Sequence, residues 1–113
     1  MLEHAVYSVL SPEGFASILW KDSARSADAA KLMHLTAHDL YQGGVVEEVL
    51  PEPPGGAQTD WEATFRTVDA ALWRELGPLL KLSGQKLAES RYRRFQKLER
   101  LRLTLEGTHP SAL

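Results

Sequence analysis

The amino-acid sequence predicts an α/β chain that is mostly helical, with two short strands. Three observations carry this. Apolar runs of strand length stand at residues 4–10 and 45–50. Helix-start signals recur between and after them, at Ser11-Pro12-Glu13, Thr36-Ala37-His38-Asp39, Thr59-Asp60-Trp61-Glu62 and Ser83. Apolar residues return at helical spacing behind the last two of these signals.

The elements follow in chain order. Residues 4–10, rich in Val, Tyr and Leu, are too short for a stable helix before the proline and read as a buried strand. Ser11 then caps a helix, Pro12 takes its first turn, and Glu13 suits the positive helix end. This helix is expected to end near Trp20. After Lys21-Asp22-Ser23-Ala24-Arg25-Ser26 a second helix is expected from Ala27 to His34, with Ser26 as its cap and Ala29, Ala30, Leu32 and Met33 on its packing side. Thr36 to Asp39 has the form of a capping box and starts a third short helix, which Gly43-Gly44 should end in a left-handed turn. Val45, Val46, Val49 and Leu50 form the second strand. The stretch PEPPGGAQTD, residues 51–60, reads as a wrap-around loop, because proline lacks an N–H group and glycine favours no regular structure. Behind the Thr59 capping box, Trp61, Phe65, Val68, Leu72 and Leu76 share a helix face, and Gly77-Pro78 is expected to break that helix. Ser83 caps the last one, where Leu87, Phe95, Leu98, Leu101 and Leu105 run through a basic background.

At 113 residues the chain fits one modest domain. Its 43% apolar and 25% charged residues are a globular composition. No run reaches the roughly 18 apolar residues of a membrane span, and Glu3 stands where a signal peptide would carry Lys or Arg. The absence of cysteine excludes disulfides, thiolate nucleophiles and sulfur-ligated metal sites. A cytoplasmic protein is expected. The net charge of −2 hides an asymmetry: residues 1–80 carry five basic and twelve acidic side chains, residues 81–113 eight basic and three acidic.

Ser11-Pro12-Glu13-Gly14 is the best site candidate on residues alone. A helix start after a strand end offers N–H groups and a positive dipole end to an anion. The plain alternative is a cap with a tight turn at Gly14. His34 and His38 are four apart, a zinc spacing on one continuous helix, but Thr36 starts a new helix between them and no metal site is expected. His4 and His109 have no recognisable partners. Lys86, Arg91, Arg93, Arg94, Lys97, Arg100 and Arg102, with Tyr92 and Phe95, could contact phosphate groups, those of nucleic acid among them. No nucleic-acid fold signature accompanies them, so a solvated helix face is preferred. Trp61, Phe65 and Trp73 are core or interface residues. No Ser-His-Asp order, phosphate-binding glycine loop or dinucleotide fingerprint is present.

Two strands separated by helices are normally parallel and leave edges unpaired. Exposed apolar edges are generally covered, so the sheet these runs should join is expected on other polypeptide.

The stretch YSVLSPEGFASILW, then A-A-x-x-M at residues 29–33, the T-A helix start at Thr36, and the P-E-P-x-G-G-A loop resemble the C-terminal part of the alpha subunit of bacterial acetyl-CoA carboxylase carboxyltransferase. ESRYRRFQKL, residues 89–98, is similar to the basic C-terminal helix of that family. Family members usually have Leu where this chain has Pro54, and His where it has Gln58. The tail LRLTLEGTHPSAL reads as an extension.

The resemblance implies the C-terminal portion of a ClpP/crotonase-like fold across residues 1–113, with a strand-helix-strand part at 1–58 and C-terminal helices at 59–106. It implies transfer of a carboxyl group from carboxybiotin, carried on biotin carboxyl carrier protein, to acetyl-CoA, giving malonyl-CoA for fatty-acid synthesis. The implied partner is a zinc-containing beta subunit, in a heterotetramer of two alpha and two beta chains. Chemistry in that superfamily relies on N–H groups of glycine-rich turns that lie upstream of the part resembled, and Gly43-Gly44 and Gly55-Gly56 are not those turns. The chain is therefore expected to hold no catalytic residue and no cofactor, with Ser11, Pro12, Glu13 and Gly14 forming one wall of the biotin pocket, and to be inactive alone. Neither nucleic acid nor membrane is an expected partner. A different reading is a free-standing helical interaction or nucleic-acid-binding protein derived from such a subunit, which steep salt dependence of binding would reveal.

Overall fold

The computed structural model describes the backbone of residues 1–107 and the side chains of residues 1–99. It contains α1 (Pro12–Trp20), α2 (Ser26–Met33), α3 (Ala37–Gln42), α4 (Trp61–Leu80) and α5 (Gly84–Gly107), with single 3-10 turns at Ser23–Arg25 and Ala57–Thr59. The chain is thus mostly helical. It divides into two compact units, residues 1–64 and the part from Phe65 onward.

In the first unit the two expected strands are replaced by isolated bridges, a parallel one between Leu2 and Leu50 and an antiparallel one between Val6 and Thr36. The parallel bridge is held by Glu3 N–H to Leu50 O at 2.9 Å and Leu50 N–H to Met1 O at 2.8 Å. Neither extends into a ladder, for local reasons. The first run bends at residues 9–10 as Ser11 turns into α1. In the second run Val45 and Val46 both donate to Leu40 O, at 2.8 and 3.4 Å, so their N–H groups close the end of α3.

α1 forms as its residues dictate. Ser11, extended at φ −72° and ψ 158°, accepts from Gly14 N–H, Pro12 opens the helix, and Lys21 ends it in a left-handed conformation at φ 56°, donating to Ser17 O. The Trp20 indole then organises the turn. Phe15 meets it edge-on at 6.5 Å, the Arg25 guanidinium lies 4.1 Å from its ring centre, and Arg25 pairs with Asp28 at 3.3 Å. Ser26 is not a cap. Asp22 accepts from Ala24 N–H and starts the 3-10 turn, which runs straight into α2, so Ser26 is already helical at φ −58°. At α3 the Thr36 hydroxyl accepts from Asp39 N–H as expected. Gly43 remains right-handed at φ −74°, and Gly44 makes the left-handed turn at φ 68°.

The apolar core of this unit is built from three alanines and Leu50. α1 packs on α2, and the one buried residue of each is Ala16 and Ala29, both fully inaccessible, as is Ala37 of α3. Small side chains let helix axes approach closely. Among the described residues no large side chain is fully buried.

α4 is capped by Asp60, whose Oδ1 accepts from Ala63 N–H at 2.9 Å. Thr59 is not the cap, because its hydroxyl is committed to Pro54 O and Gly56 O at 2.9 and 2.7 Å. Nor do Gly77 and Pro78 break the helix. A proline removes one N–H bond to the preceding turn, which is tolerable when only the final turn is involved. That end then tightens, with Lys81 N–H to Pro78 O at 3.3 Å and Leu82 N–H to Leu79 O at 3.1 Å. Ser83 caps α5 through Lys86 N–H, as expected. Along the α4 stripe Trp61, Phe65, Leu72 and Leu76 are exposed and Val68 is half-buried, so Trp61 and Phe65, like the exposed Trp73, are not core residues of the chain; Ala71 and Thr64 are the buried positions. The stripe positions Leu101 and Leu105, and the histidine His109, lie outside the described side chains.

Candidate functional site

Ser11 to Gly14 form the N-terminus of α1, with Ser11 and Glu13 exposed and Pro12 and Gly14 half-buried. Most of the helix-start donors are used locally. Pro12 has none, Gly14 N–H goes to Ser11 Oγ at 3.1 Å, and Phe15 N–H goes to Ser11 O at 2.9 Å. That leaves the N–H of Glu13, beside its own carboxylate. A Cβ on Gly14 would meet Leu10 Cδ1 at 3.4 Å and Ser11 Oγ at 3.5 Å, which is ordinary contact, so no tight turn demands this glycine. The preceding turn is fastened by Ser8, whose hydroxyl donates to Leu10 O at 2.5 Å and accepts from Leu10 N–H at 3.3 Å. The Ser11 cap sets the angle at which the apolar run enters α1. Ser11→Ala is expected to destabilise that entry by about 1 kcal/mol, and Ser11→Asp to preserve it. Urea titration of both variants checks this.

The histidine pair separates. His34 ends α2 in a left-handed conformation at φ 48°, while His38 sits in α3 with its Nε2 2.9 Å from Gln42 Nε2. Among the described residues no group of three or more His, Asp or Glu is placed to hold a metal ion. His38 also lines an open concavity of about 340 Å³ with Tyr41, Glu47, Glu48 and Val49. It includes none of Ser11 to Gly14.

His4 has the partner that sequence reasoning did not find. Its N–H donates to Glu52 Oε2 at 2.6 Å and its Nδ1 lies 3.1 Å from the same oxygen. The other Glu52 oxygen accepts from Ala57 N–H at 2.9 Å, and Glu52 N–H in turn donates to Glu3 Oε1 at 2.7 Å. Two glutamates 49 residues apart therefore each accept from the backbone of the other's segment, closing the Pro-Gly loop onto the start of the chain. The His4 backbone N–H, then that of Ala57 and the imidazole, hold the Glu52 carboxyl below the ordinary value of 4.5 against the opposing effect of burial. The sequence signal was the Glu in Pro51-Glu52-Pro53, a charged residue between prolines with nothing local to bind.

On α5, Lys86, Arg91, Arg93, Arg94 and Lys97 are exposed, and the Arg91 guanidinium lies 5.1 Å from the Phe95 ring centre. The side chains of Arg100 and Arg102 lie outside the described residues. No helix among the described residues is long and apolar enough to cross a membrane.

Comparison with known proteins gives a consistent result. The acetyl co-enzyme A carboxylase carboxyltransferase-like family matches residues 1–99. The acetyl-coenzyme A carboxylase carboxyl transferase subunit alpha of Methylobacterium sp. (strain 4-46) is 47% identical over 100 residues, which are 88% of this chain and 32% of that subunit. The subunit alpha of Parasynechococcus marenigrum (strain WH8102) is 50% identical over 100 residues, 88% of this chain and 30% of the relative. For Geobacillus sp. (strain WCH70) the identity is 46% over 98 residues, 87% and 30% of the two chains. The chain thus spans about 30% of the length of these relatives. With the match running through the Ser11 cap, the alanine-packed helices and the Glu52 loop, the chain belongs to the acetyl co-enzyme A carboxylase carboxyltransferase-like family.

Proposed function

We propose that this chain serves as the C-terminal part of the alpha subunit in the carboxyltransferase component of acetyl-CoA carboxylase. In that role it completes a ClpP/crotonase-like core. The reaction moves the carboxyl group of carboxybiotin to the acetyl methyl carbon: the C–N bond to the carboxyl group and a methyl C–H bond break, a C–C bond forms, the proton passes to the biotin nitrogen, and biotin and malonyl-CoA result. The observation that carries this reading is the family match over residues 1–99.

A second observation supports the role as one part of a larger body. Ile18 and Leu19 of α1, Leu72 and Trp73 of α4, and Tyr92 of α5 all keep half or more of their surface exposed. Apolar exposure on that scale marks surfaces meant for other polypeptide. The beta subunit and biotin carboxyl carrier protein are the partners of this reading, and the cytoplasm its location. Ser11 to Gly14 form one wall of the biotin pocket, where the Glu13 N–H and the helix dipole face carboxylate charge. The groups that stabilise developing negative charge belong to the remaining part of the subunit. In enzymes of this kind such donors contribute about 3–4 kcal/mol each.

The test is reconstitution. The chain alone should produce no malonyl-CoA from carboxybiotin and acetyl-CoA. Co-expressed with the rest of an alpha subunit and with the beta subunit, it should restore production. Malonyl-CoA formation by the isolated chain, or no gain on adding it to the other parts, would overturn the reading.

A further inference from the structure

The segment before α1 carries an unfilled strand edge. In the wide type of antiparallel bridge, the two opposed residues turn their own N–H and C=O groups away from each other, and the bonds run between their neighbours. Val6 and Thr36 make a bridge of this type, since its bond runs from Tyr7 N–H to Leu35 O at 3.3 Å. Val6 therefore directs its N–H to the opposite edge, and by two-residue alternation Ser8 does the same. Among the described residues no hydrogen bond engages the N–H of Val6 or of Ser8. Val6, Tyr7 and Val9 are 67%, 68% and 95% exposed.

Free edges in self-contained folds are blunted by charge, proline or a covering element. Residues 6–10, Val-Tyr-Ser-Val-Leu, contain neither a charge nor a proline. We propose that the Val6–Ser8 edge pairs with a β-strand supplied by the part of the alpha subunit that this chain does not match. This rests on the functional reading above. The occupant follows from the relatives, of whose length about 70% lies outside the match. Backbone bonds from Val6 and Ser8 give the joint its affinity, and Val6, Tyr7 and Val9 are covered as it forms.

Residue-resolved amide exchange by NMR tests this on the chain alone at two concentrations, and on the chain mixed with the remaining segment of the Methylobacterium alpha subunit. In the mixture the Val6 and Ser8 amides should exchange at least about tenfold more slowly, whereas the Tyr7 amide is protected in both samples. Val6→Pro, which removes one donor, should abolish the protection at Ser8, and Val6→Ala should keep it. If the two pieces co-elute and, with the beta subunit added, support malonyl-CoA formation while Val6 and Ser8 exchange unchanged, the edge is not the joint, although the functional reading stands. Protection that arises in the chain alone and grows with concentration would seat a second copy there and overturn the proposal. Failure of the two pieces to co-elute, or to support malonyl-CoA formation once the beta subunit is added, overturns the functional reading and this joint together.

Discussion

Ala16→Leu should destabilise the first unit by about 1–3 kcal/mol, enough to shift its urea midpoint clearly and to lower helix content at rest. The effect follows from how α1 and α2 meet. Each contributes a single buried side chain, an alanine with no accessible surface, and Ala37 of α3 is equally closed. A leucine at residue 16 must place three more carbons at a position with no accessible surface, and interiors at crystal-like density have no void to receive them. A core of larger side chains could shift rotamers to make room. Alanine has none to shift. Ile18→Ala on the same helix should behave oppositely. Ile18 is 77% exposed, so its truncation should change the isolated chain by at most about 0.5 kcal/mol. In the reconstituted enzyme the same change should weaken assembly. If Ala16→Leu melts like the parent chain, the alanine contact is not the organising one. If Ile18→Ala is silent in both settings, its exposed face has no partner.

The elements that could be read from the sequence were those decided within one turn of backbone. Ser11, Thr36 and Ser83 each capped the helix expected of them because the donor they satisfy lies three residues away. Where two local candidates compete, the sequence alone does not decide. Asp22 displaced Ser26 by starting a 3-10 turn ahead of it, and Asp60 displaced Thr59 because the Thr59 hydroxyl is committed to Pro54 O and Gly56 O. The strands failed for a different reason. Val45 and Val46 have ordinary strand character, but strand character expresses a fit to a pleated, half-buried surface, and their N–H groups found Leu40 O first. The stripe on α4 was legible as a stripe and not as a surface, since periodicity says which residues share a face and not what covers it. The candidate site shows the same division. Ser11 to Gly14 were correctly placed at a helix start, yet the sequence could not show that the Ser11 side chain and carbonyl already occupy two of the donors there. The Glu3–Glu52 closure joins residues 49 apart, and no local pattern marks such a pair.

That closure yields the second large expectation, a stability that depends on pH through Glu52. Its carboxyl accepts from the N–H groups of His4 and Ala57 and lies beside the His4 imidazole, and its side chain is only 7% exposed. Glu52→Ala leaves the half-buried N–H of Ala57 and the exposed N–H of His4 without their acceptor and removes one of the two glutamate links between the loop and the segment carrying Leu2 and Val6. The denaturant midpoint should fall substantially at neutral pH. The sign of the pH effect is fixed by the direction of the shift. The folded carboxyl is held below its ordinary value of 4.5, so its contribution is complete above that pH and is lost as pH falls through the lowered folded value. Parent chain and Glu52→Ala should therefore differ by a constant margin from neutral pH down to the ordinary carboxylate range, and converge below it. Glu52→Gln should fall between them, since its amide retains one acceptor oxygen for two backbone donors and loses the charge. His4→Ala separates the two kinds of support. The backbone N–H of His4 is the largest cause of the lowered value, ahead of the imidazole, so His4→Ala should keep most of the margin and its pH dependence. A margin between parent and Glu52→Ala that persists unchanged into acid would show that the carboxylate charge is not what closes the loop. A His4→Ala chain as weak as Glu52→Ala would move that role from the backbone to the imidazole.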